Sequence, residues 1–150
     1  MLAIKGRKPA MLALITALGA LALSGCESSA RGPVAVRSDS GNLEVAICGT
    51  FEITRIEGRA FYRGEPDYLT FLDVEGALST AEQTRFHLED LPAGLSGTAE
   101  EPPLTDLASI YLIFEFDGDR FNALFETDFS NVPEDAWLHP SGRVSDLPCS

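Results

Sequence analysis

The chemistry open to this chain of 150 residues is limited by how few side chains could act as a base or a nucleophile. It has two histidines, His87 and His139, and the sequence places neither beside a serine or cysteine in a known catalytic spacing. The Gly-x-Ser-x-Gly and Ser-x-x-Lys patterns of activated serines do not occur in it. We therefore predict no catalytic residue, no metal ligand and no cofactor. A serine–histidine site assembled in space stays open as a third interpretation.

Carboxylates are the most abundant charged groups, and two pairs of them lie in predicted loops. Glu100 and Glu101 precede two prolines, and Asp117 and Asp119 flank a glycine. The second pair matches the start of a calcium-binding EF-hand loop, but the fifth and sixth positions lack the ligand and the glycine which that loop requires. A hairpin turn is the better interpretation. These four acids and Trp137, the only tryptophan, are the candidate binding residues; we expect Trp137 to cap the core or else to form an exposed contact.

The N-terminal residues have the form of an export signal. Residues 1–10 carry three basic residues and no acid, and residues 11–23 have Thr16 as their only polar residue. A basic start followed by an apolar run of about 7–15 residues is typical of a secretory signal, whereas a membrane-spanning helix needs roughly 20. A buried core helix would not explain the basic residues ahead of the run. We therefore expect residues 1–25 to be a signal peptide that is removed.

The signal ends in a second motif, Leu23-Ser24-Gly25-Cys26. It resembles the lipobox of bacterial lipoproteins, in which Leu, a small residue and Gly or Ala precede the cysteine. The resemblance implies cleavage before Cys26 and covalent lipid on its thiol, and it covers only the signal and this cysteine. Residues 20–22, Ala-Leu-Ala, also fit the cleavage site of an ordinary secreted protein, which would leave Cys26 as a free thiol.

The residue after the lipidated cysteine bears on the destination of the protein. In lipoprotein sorting of the enterobacterial kind, Asp at this position retains the protein in the inner membrane, and here the residue is Glu27. The resemblance therefore implies a lipid anchor in the outer membrane, with the domain facing the periplasm.

The chain left after cleavage is strongly acidic. Three of the 11 basic residues belong to the signal and all 23 acids follow it, so the net charge is 11 − 3 − 23 = −15. A field of this sign repels nucleic acid and anionic lipid head groups. We therefore expect no nucleic-acid partner, and attachment to the membrane through acyl chains, which contribute about 0.8 kcal/mol per buried CH₂. A cationic partner or a divalent ion would suit this charge, although acidity also serves solubility alone.

The three cysteines make an odd number, which needs an explanation in an exported protein. Lipidation of Cys26 would leave Cys48 and Cys149 as a pair. Because disulfides persist outside the cytoplasm, we predict a Cys48–Cys149 bond. It would close a loop of about 100 residues, worth roughly 4.7 kcal/mol in the chain-entropy model. The alternative, a thiolate pair on a metal, lacks the histidine partners and close spacing of a zinc site.

The remaining residues divide into a tether and a domain. Residues 26–42, rich in Ser and Gly, are predicted to be the lipidated N-terminus and a flexible tether, in which only residues 34–36 could pair as a strand. In residues 43–150, short runs of alternating apolar and polar residues end at Gly, Pro or Asp, which is typical of strands. The clearest element is a hairpin around Asp117-Gly118.

Short strands at this spacing predict an all-β fold, a small antiparallel sandwich or barrel of about 6–8 strands. The alternative is α+β, because residues 77–83 or 134–138 could be helical, and residues 104–109 could form one helical turn. For function, we predict a non-catalytic accessory domain that binds or supports another cell-envelope protein. The alternative is a periplasmic module that binds a ligand or a divalent ion through the acids near Glu100 or Asp117, and a hydrolase is a third.

Overall fold

Alternating apolar and polar residues build ten strands in a computed structural model that describes residues 33–126 and 128–149. The strands are β1 (Val34–Asp39), β2 (Asn42–Cys48), β3 (Glu52–Tyr62), β4 (Tyr68–Ser79), β5 (Gln83–His87), β6 (Leu95–Ala99), β7 (Leu107–Phe116), β8 (Asp119–Phe125), β9 (Trp137–Leu138) and β10 (Val144–Ser145). Sheet A has the order β10-β9-β1-β2-β5, and sheet B the order β6-β4-β3-β7-β8. All the pairings are antiparallel.

The two sheets enclose one hydrophobic core. Its members alternate along the strands, so that Val34, Val36 and Leu43 point inward from sheet A while Ile56 and Phe114 point inward from sheet B. The opposite face of each sheet therefore points outward. The predicted all-β sandwich is confirmed, with two more strands than the expected upper number, and the two extra strands are the two-residue β9 and β10.

The sheet begins earlier than the sequence suggested. Strand β1 occupies Val34–Asp39, inside the segment predicted to be a tether, and pairs along its whole length with β2. Ser40 and Gly41 join the strands with φ of 53° and 86°, as a tight hairpin turn requires. The predicted boundary at residue 43 is therefore wrong for residues 34–42. The predicted signal peptide, Cys26, Glu27 and the rest of the tether up to residue 32 lie outside the described residues.

A bulge changes which residues of β4 face outward. Gly58 pairs with Leu72 but Arg59 pairs with Thr70, so Phe71 is an extra residue in β4. Uninterrupted alternation along β4 would place Tyr68 and Thr70 on the same face as Leu72. The bulge separates them, because Tyr68 and Thr70 are exposed while Leu72 is fully buried.

The C-terminal residues are fixed by sheet A and by a disulfide. Strand β9 pairs with β1, and Cys149 is bonded to Cys48 with a Cα–Cα distance of 5.4 Å, which confirms the predicted pair. Residues 77–83 and 134–138 contain strand and turn, so the helices considered there do not form. A 3₁₀ turn at Phe129–Asn131 is the one helical element among the described residues, and none of their helices could cross a bilayer.

The sandwich has two distinct ends. At one, which we call the disulfide end, the Pro33 carbonyl accepts a hydrogen bond from Cys48 N, and Cys48 is bonded to Cys149. The β7–β8 turn at Asp117-Gly118 lies at this end too, since the start of β3 pairs with Glu115 and β3 follows β2 directly. The β1–β2 turn and the β3–β4 turn lie at the other end, which we call the far end.

Candidate functional site

The structure does not bring the predicted binding acids together. Asp117 and Asp119 belong to the exposed hairpin turn at the disulfide end, as predicted, where Asp119 accepts a hydrogen bond from Arg120 N at 2.8 Å. Glu100 and Glu101 lie near the far end, in the connection between β6 and β7. The two pairs of acids therefore cannot bind one ion.

Glu101 has a structural role. Its Oε2 accepts a hydrogen bond of 2.9 Å from Leu43 N, so a loop of sheet B is fastened to sheet A. Its Oε1 is buried without a hydrogen-bond partner among the described residues. Burial raises the pKa of this carboxyl, and the nearby Glu89 acts in the same direction.

Trp137 lies on the outer face of sheet A, not at the edge of the core. It covers Ala35 and Ala46, whose small side chains leave room for the indole, and these three residues form a separate hydrophobic cluster. The guanidinium carbons of Arg37 and Arg85 lie 4.7 and 5.1 Å from the ring centroid. Trp137 is therefore 1% exposed and offers no free ring face for an exposed contact.

The same two arginines neutralise a buried acid. Glu44, 3% exposed, is bound through Oε2 by Arg37 Nε and through Oε1 by Arg85 Nε at 2.9 Å. A carboxylate at this depth needs such partners, since an unpaired buried charge is costly. The outer face of sheet A thus carries an internally satisfied network of one acid, two arginines and one indole.

A histidine extends this network to the far end. His87 is half-buried, and its Nε2 lies 3.0 Å from Asp39 Oδ2. That hydrogen bond is the main reason why the pKa of Asp39 is lowered. The ligand atoms of Asp39, Glu44 and His87 lie within 4.8 Å of one another, close enough to hold a metal ion. However, Glu44 already has two guanidinium partners, which a cation would have to displace.

The second histidine is paired with a serine. His139 is buried, and its Nε2 lies 2.7 Å from Ser145 Oγ. Ser145 Oγ also donates a hydrogen bond of 2.7 Å to the Leu147 carbonyl. A nucleophilic serine gives its proton to the histidine, and here the Leu147 carbonyl competes for that proton. Burial lowers the pKa of His139, and the positive charge of Arg143 lowers it further.

The outer face of sheet B differs from that of sheet A because its apolar side chains remain accessible. Three strands contribute to one row of residues: Leu124 pairs with Tyr111, and Tyr111 pairs with Arg59. In the next row toward the far end, Phe61 pairs with Tyr68. We call these five residues the aromatic patch.

Contacts within the aromatic patch fix its shape. The Arg59 guanidinium lies 4.7 Å from the centroid of the Tyr68 ring, and the rings of Phe61 and Tyr68 are 5.6 Å apart. Arg59 Nε also lies 2.5 Å from Glu57 Oε1, and this pair raises the pKa of Arg59. Tyr68 is 48% exposed and Leu124 39%, although both belong to regular strands. The patch is therefore a partly exposed surface on regular strands, and contacts between its own side chains fix its shape.

Acidic residues cover the same face nearer the disulfide end. Arg55 is the centre of this group, with ion-pair distances of 3.0 to 3.7 Å to four carboxylates, Glu57, Asp73, Glu75 and Glu115. Arg59 also pairs with Glu57, so two cations stand among four anions and this part of the face remains negative. The outer face of sheet B therefore combines an acidic part with the apolar aromatic patch.

A shallow pocket of about 370 Å³ opens at the far end. It is lined by Ser38, Arg63, Leu104, Thr105, Asp106, Asp128, Phe129 and Ser130. Arg63 is its only basic group, and its guanidinium is bound by Asp128 at 2.8 Å. Hydrogen bonds from Ser130 and Arg63 lower the pKa of Asp128 to about 2. The Arg63–Asp128 ion pair therefore stays formed at neutral pH.

Sequence reasoning found the disulfide and the turn acids, but it missed Glu44, Arg37 and Arg85 as a network and it missed the aromatic patch. An available signal was the alternation of β1, in which Ala35 and Arg37 alternate with Val34 and Val36. Comparison of the chain with models of protein families, with curated proteins and with solved structures finds no match in any of the three.

Proposed function

We propose that this chain is a lipoprotein of the bacterial cell envelope, anchored through Cys26 in the outer membrane, whose mature domain binds another envelope component and catalyses no reaction. The observation that carries the proposal is the motif Leu23-Ser24-Gly25-Cys26 directly after a basic start and an apolar run. The bonded Cys48–Cys149 pair supports it, because Cys26 is then the unpaired cysteine of the three.

The position of β1 makes the link to the membrane short. Residues 27–33 separate the lipidated cysteine from Val34, and a chain of that length reaches at most roughly 25 Å. Since Pro33 leaves the sandwich at the disulfide end, that end would face the lipid surface. The aromatic patch and the far end would then point away from the membrane, toward other envelope components.

Binding is favoured over catalysis by how the reactive side chains are engaged. His87 Nε2 is hydrogen-bonded to a carboxylate of Asp39 and not to a serine or cysteine, and the Ser145 hydroxyl beside His139 donates to the Leu147 carbonyl. Binding of a divalent ion has less support than binding of a macromolecule, because Glu100 and Asp117 lie at opposite ends and Glu44 is neutralised by arginines.

Cys26→Ser tests the anchor directly. In cells grown with labelled palmitate, we expect the variant to lose the label and to leave the outer-membrane fraction. Ser28→Ala, which keeps the lipobox intact, is the matched control and should retain both. Mass analysis of the mature wild-type protein should show an N-terminus at Cys26 carrying acyl chains. A labelled, membrane-bound Cys26→Ser variant, or a mature chain that begins at residue 23, would show that the proposal is wrong.

A further inference from the structure

We propose that the aromatic patch of sheet B is a docking surface for a protein partner that presents an apolar centre ringed by lysine or arginine. This inference rests on the proposed function and deepens it, since it names the surface and the chemistry of the partner. The patch consists of Arg59, Phe61, Tyr68, Tyr111 and Leu124 on three neighbouring strands and the start of a fourth.

The patch has the composition and rigidity of a binding hot spot. Tyrosine and arginine dominate the energy of protein interfaces, where they bury large areas with little loss of conformational freedom. The patch extends across four adjacent strands, which gives it a width of about 15 Å. Arg59 is already held by Glu57 and by the ring of Tyr68, so binding would order few new side chains.

Two of the exposed large apolar side chains lie on this surface. The large hydrophobic residues that are exposed among the described residues are Tyr68, Leu69, Leu124, Val144 and Leu147. Tyr68 and Leu124 lie in the patch, whereas Leu69 pairs with the buried Ala60 on the other face of β4, and Val144 and Leu147 belong to the C-terminal residues. The outer face of sheet A has no comparable surface, because Trp137 is covered by two arginines.

Charge selects the kind of partner. Carboxylates of Glu57, Asp73, Glu75 and Glu115 border the patch on one side, and the exposed Glu65 and Asp67 precede Tyr68 on the other. Such a border attracts a basic surface and repels an acidic one. A second copy of this chain would bring another charge of −15 against the first, and anionic lipid head groups would be repelled likewise. The occupant that fits is therefore a basic protein surface with an apolar centre.

Site-directed photo-crosslinking in living cells tests the surface on the full-length chain. A benzophenone amino acid replaces Thr70, an exposed residue beside Arg59, and in a control strain it replaces Glu82, an exposed residue at the disulfide end. We expect one heterologous protein adduct from position 70 and none from position 82. Sequencing of the cross-linked peptide should show apolar residues flanked by Lys or Arg.

Binding of the identified protein to the detergent-purified lipoprotein gives the second readout. Tyr68→Ala and Arg59→Ala should each raise Kd by about tenfold or more, while Leu147→Ala, at an exposed apolar residue outside the patch, should leave Kd within about twofold. Raising the salt concentration from 50 to 500 mM should weaken binding further, because the border is acidic. Unchanged fluorescence of Trp137 would show that each variant is folded.

Each of four results would overturn the inference: no adduct at position 70, an equal adduct at position 82, an adduct with a second copy of this chain, or a partner whose binding is indifferent to salt and to Tyr68→Ala. Palmitate labelling of the same strains distinguishes a failure of the docking-surface inference from a failure of the proposed lipid anchor. A labelled protein that gives no adduct contradicts the docking surface alone, and an unlabelled one that still gives the patch-dependent adduct contradicts the anchor alone.

Discussion

Glu44→Gln is the substitution that most directly tests the network on the outer face of sheet A. It keeps the size of the side chain but removes the charge that pairs with Arg37 and Arg85. Both guanidiniums would then lie close to each other and to Trp137 with no anion between them. The side chain of Glu44 is 4% exposed, so water cannot replace the lost charge at that position.

The expected loss follows from the burial of the three partners. Removing one member of a fully buried ion pair costs about 3–5 kcal/mol of unfolding free energy. The arginine side chains are 17% and 39% exposed, and this solvent contact reduces the loss to about 2–3 kcal/mol. For a domain of this size about 1 kcal/mol corresponds to roughly 4 °C, so Tm should fall by about 8–12 °C.

Urea unfolding followed by fluorescence and circular dichroism measures this loss, and Trp137 reports from the network itself because it is the only tryptophan. Glu75→Gln is the matched control. Its carboxylate pairs with Arg55 at 3.7 Å but is 76% exposed, so it should cost less than about 0.5 kcal/mol. If Glu44→Gln costs no more than this control, the network does not stabilise the fold as we argue. Adding Arg37→Met and Arg85→Met should recover much of the loss, since it removes the unpaired charges.

Two further substitutions test the connections between the sheets. Burial raises the pKa of the Glu101 carboxyl in the folded state. The stability that this carboxyl contributes is therefore present below its unfolded pKa and is lost as pH rises through its folded pKa. In thermal unfolding, Glu101→Gln should stabilise the domain more at pH 7 than at pH 4, with the exposed Glu100→Gln as control, and a flat or reversed difference would contradict the assignment. Gly76→Ala would place a Cβ 1.8 Å from the Gly94 carbonyl oxygen and should lower the free energy of unfolding by about 3 kcal/mol or more. The control, Gly118→Ala, also has a positive φ but open space around it, and should lower that free energy by about 1 kcal/mol in the same denaturant assay. Equal losses for the two variants would refute the steric argument.

The fold was predictable where a local pattern decides it. Alternation and the Asp117-Gly118 turn predict the β7–β8 hairpin, and cysteine parity predicts the disulfide. Strand β1 was predicted only in part, as a possible strand at residues 34–36, because Ser and Gly in residues 38–41 suggested a flexible tether, although such residues also form tight hairpin turns. The short strand β9 was missed because two residues are too few to show an alternating pattern. Its position depends on pairing with Val36, which is far away in sequence.

The candidate site was less predictable because it depends on register across several strands. Arg59 and Tyr111 are 52 positions apart in sequence, and only the pairing of β3 with β7 makes them neighbours. The bulge at Phe71 then decides that Tyr68 points outward. Similarly, nothing near Trp137 in sequence indicates that two arginines from β1 and β5 will cover it. A one-residue change in any of these registers would place the same side chains on the opposite face.

The two outer faces therefore differ in what their arginines do, and this difference has a functional consequence. On sheet A, Arg37 and Arg85 cover the one tryptophan and neutralise Glu44, which closes that face. On sheet B, Arg59 contacts Tyr68 from one side and leaves almost half of that residue exposed. A surface that only had to be soluble would not need an exposed tyrosine and leucine on regular strands bordered by acids. For this reason we propose that the docking surface lies on sheet B, while the network on sheet A stabilises the fold.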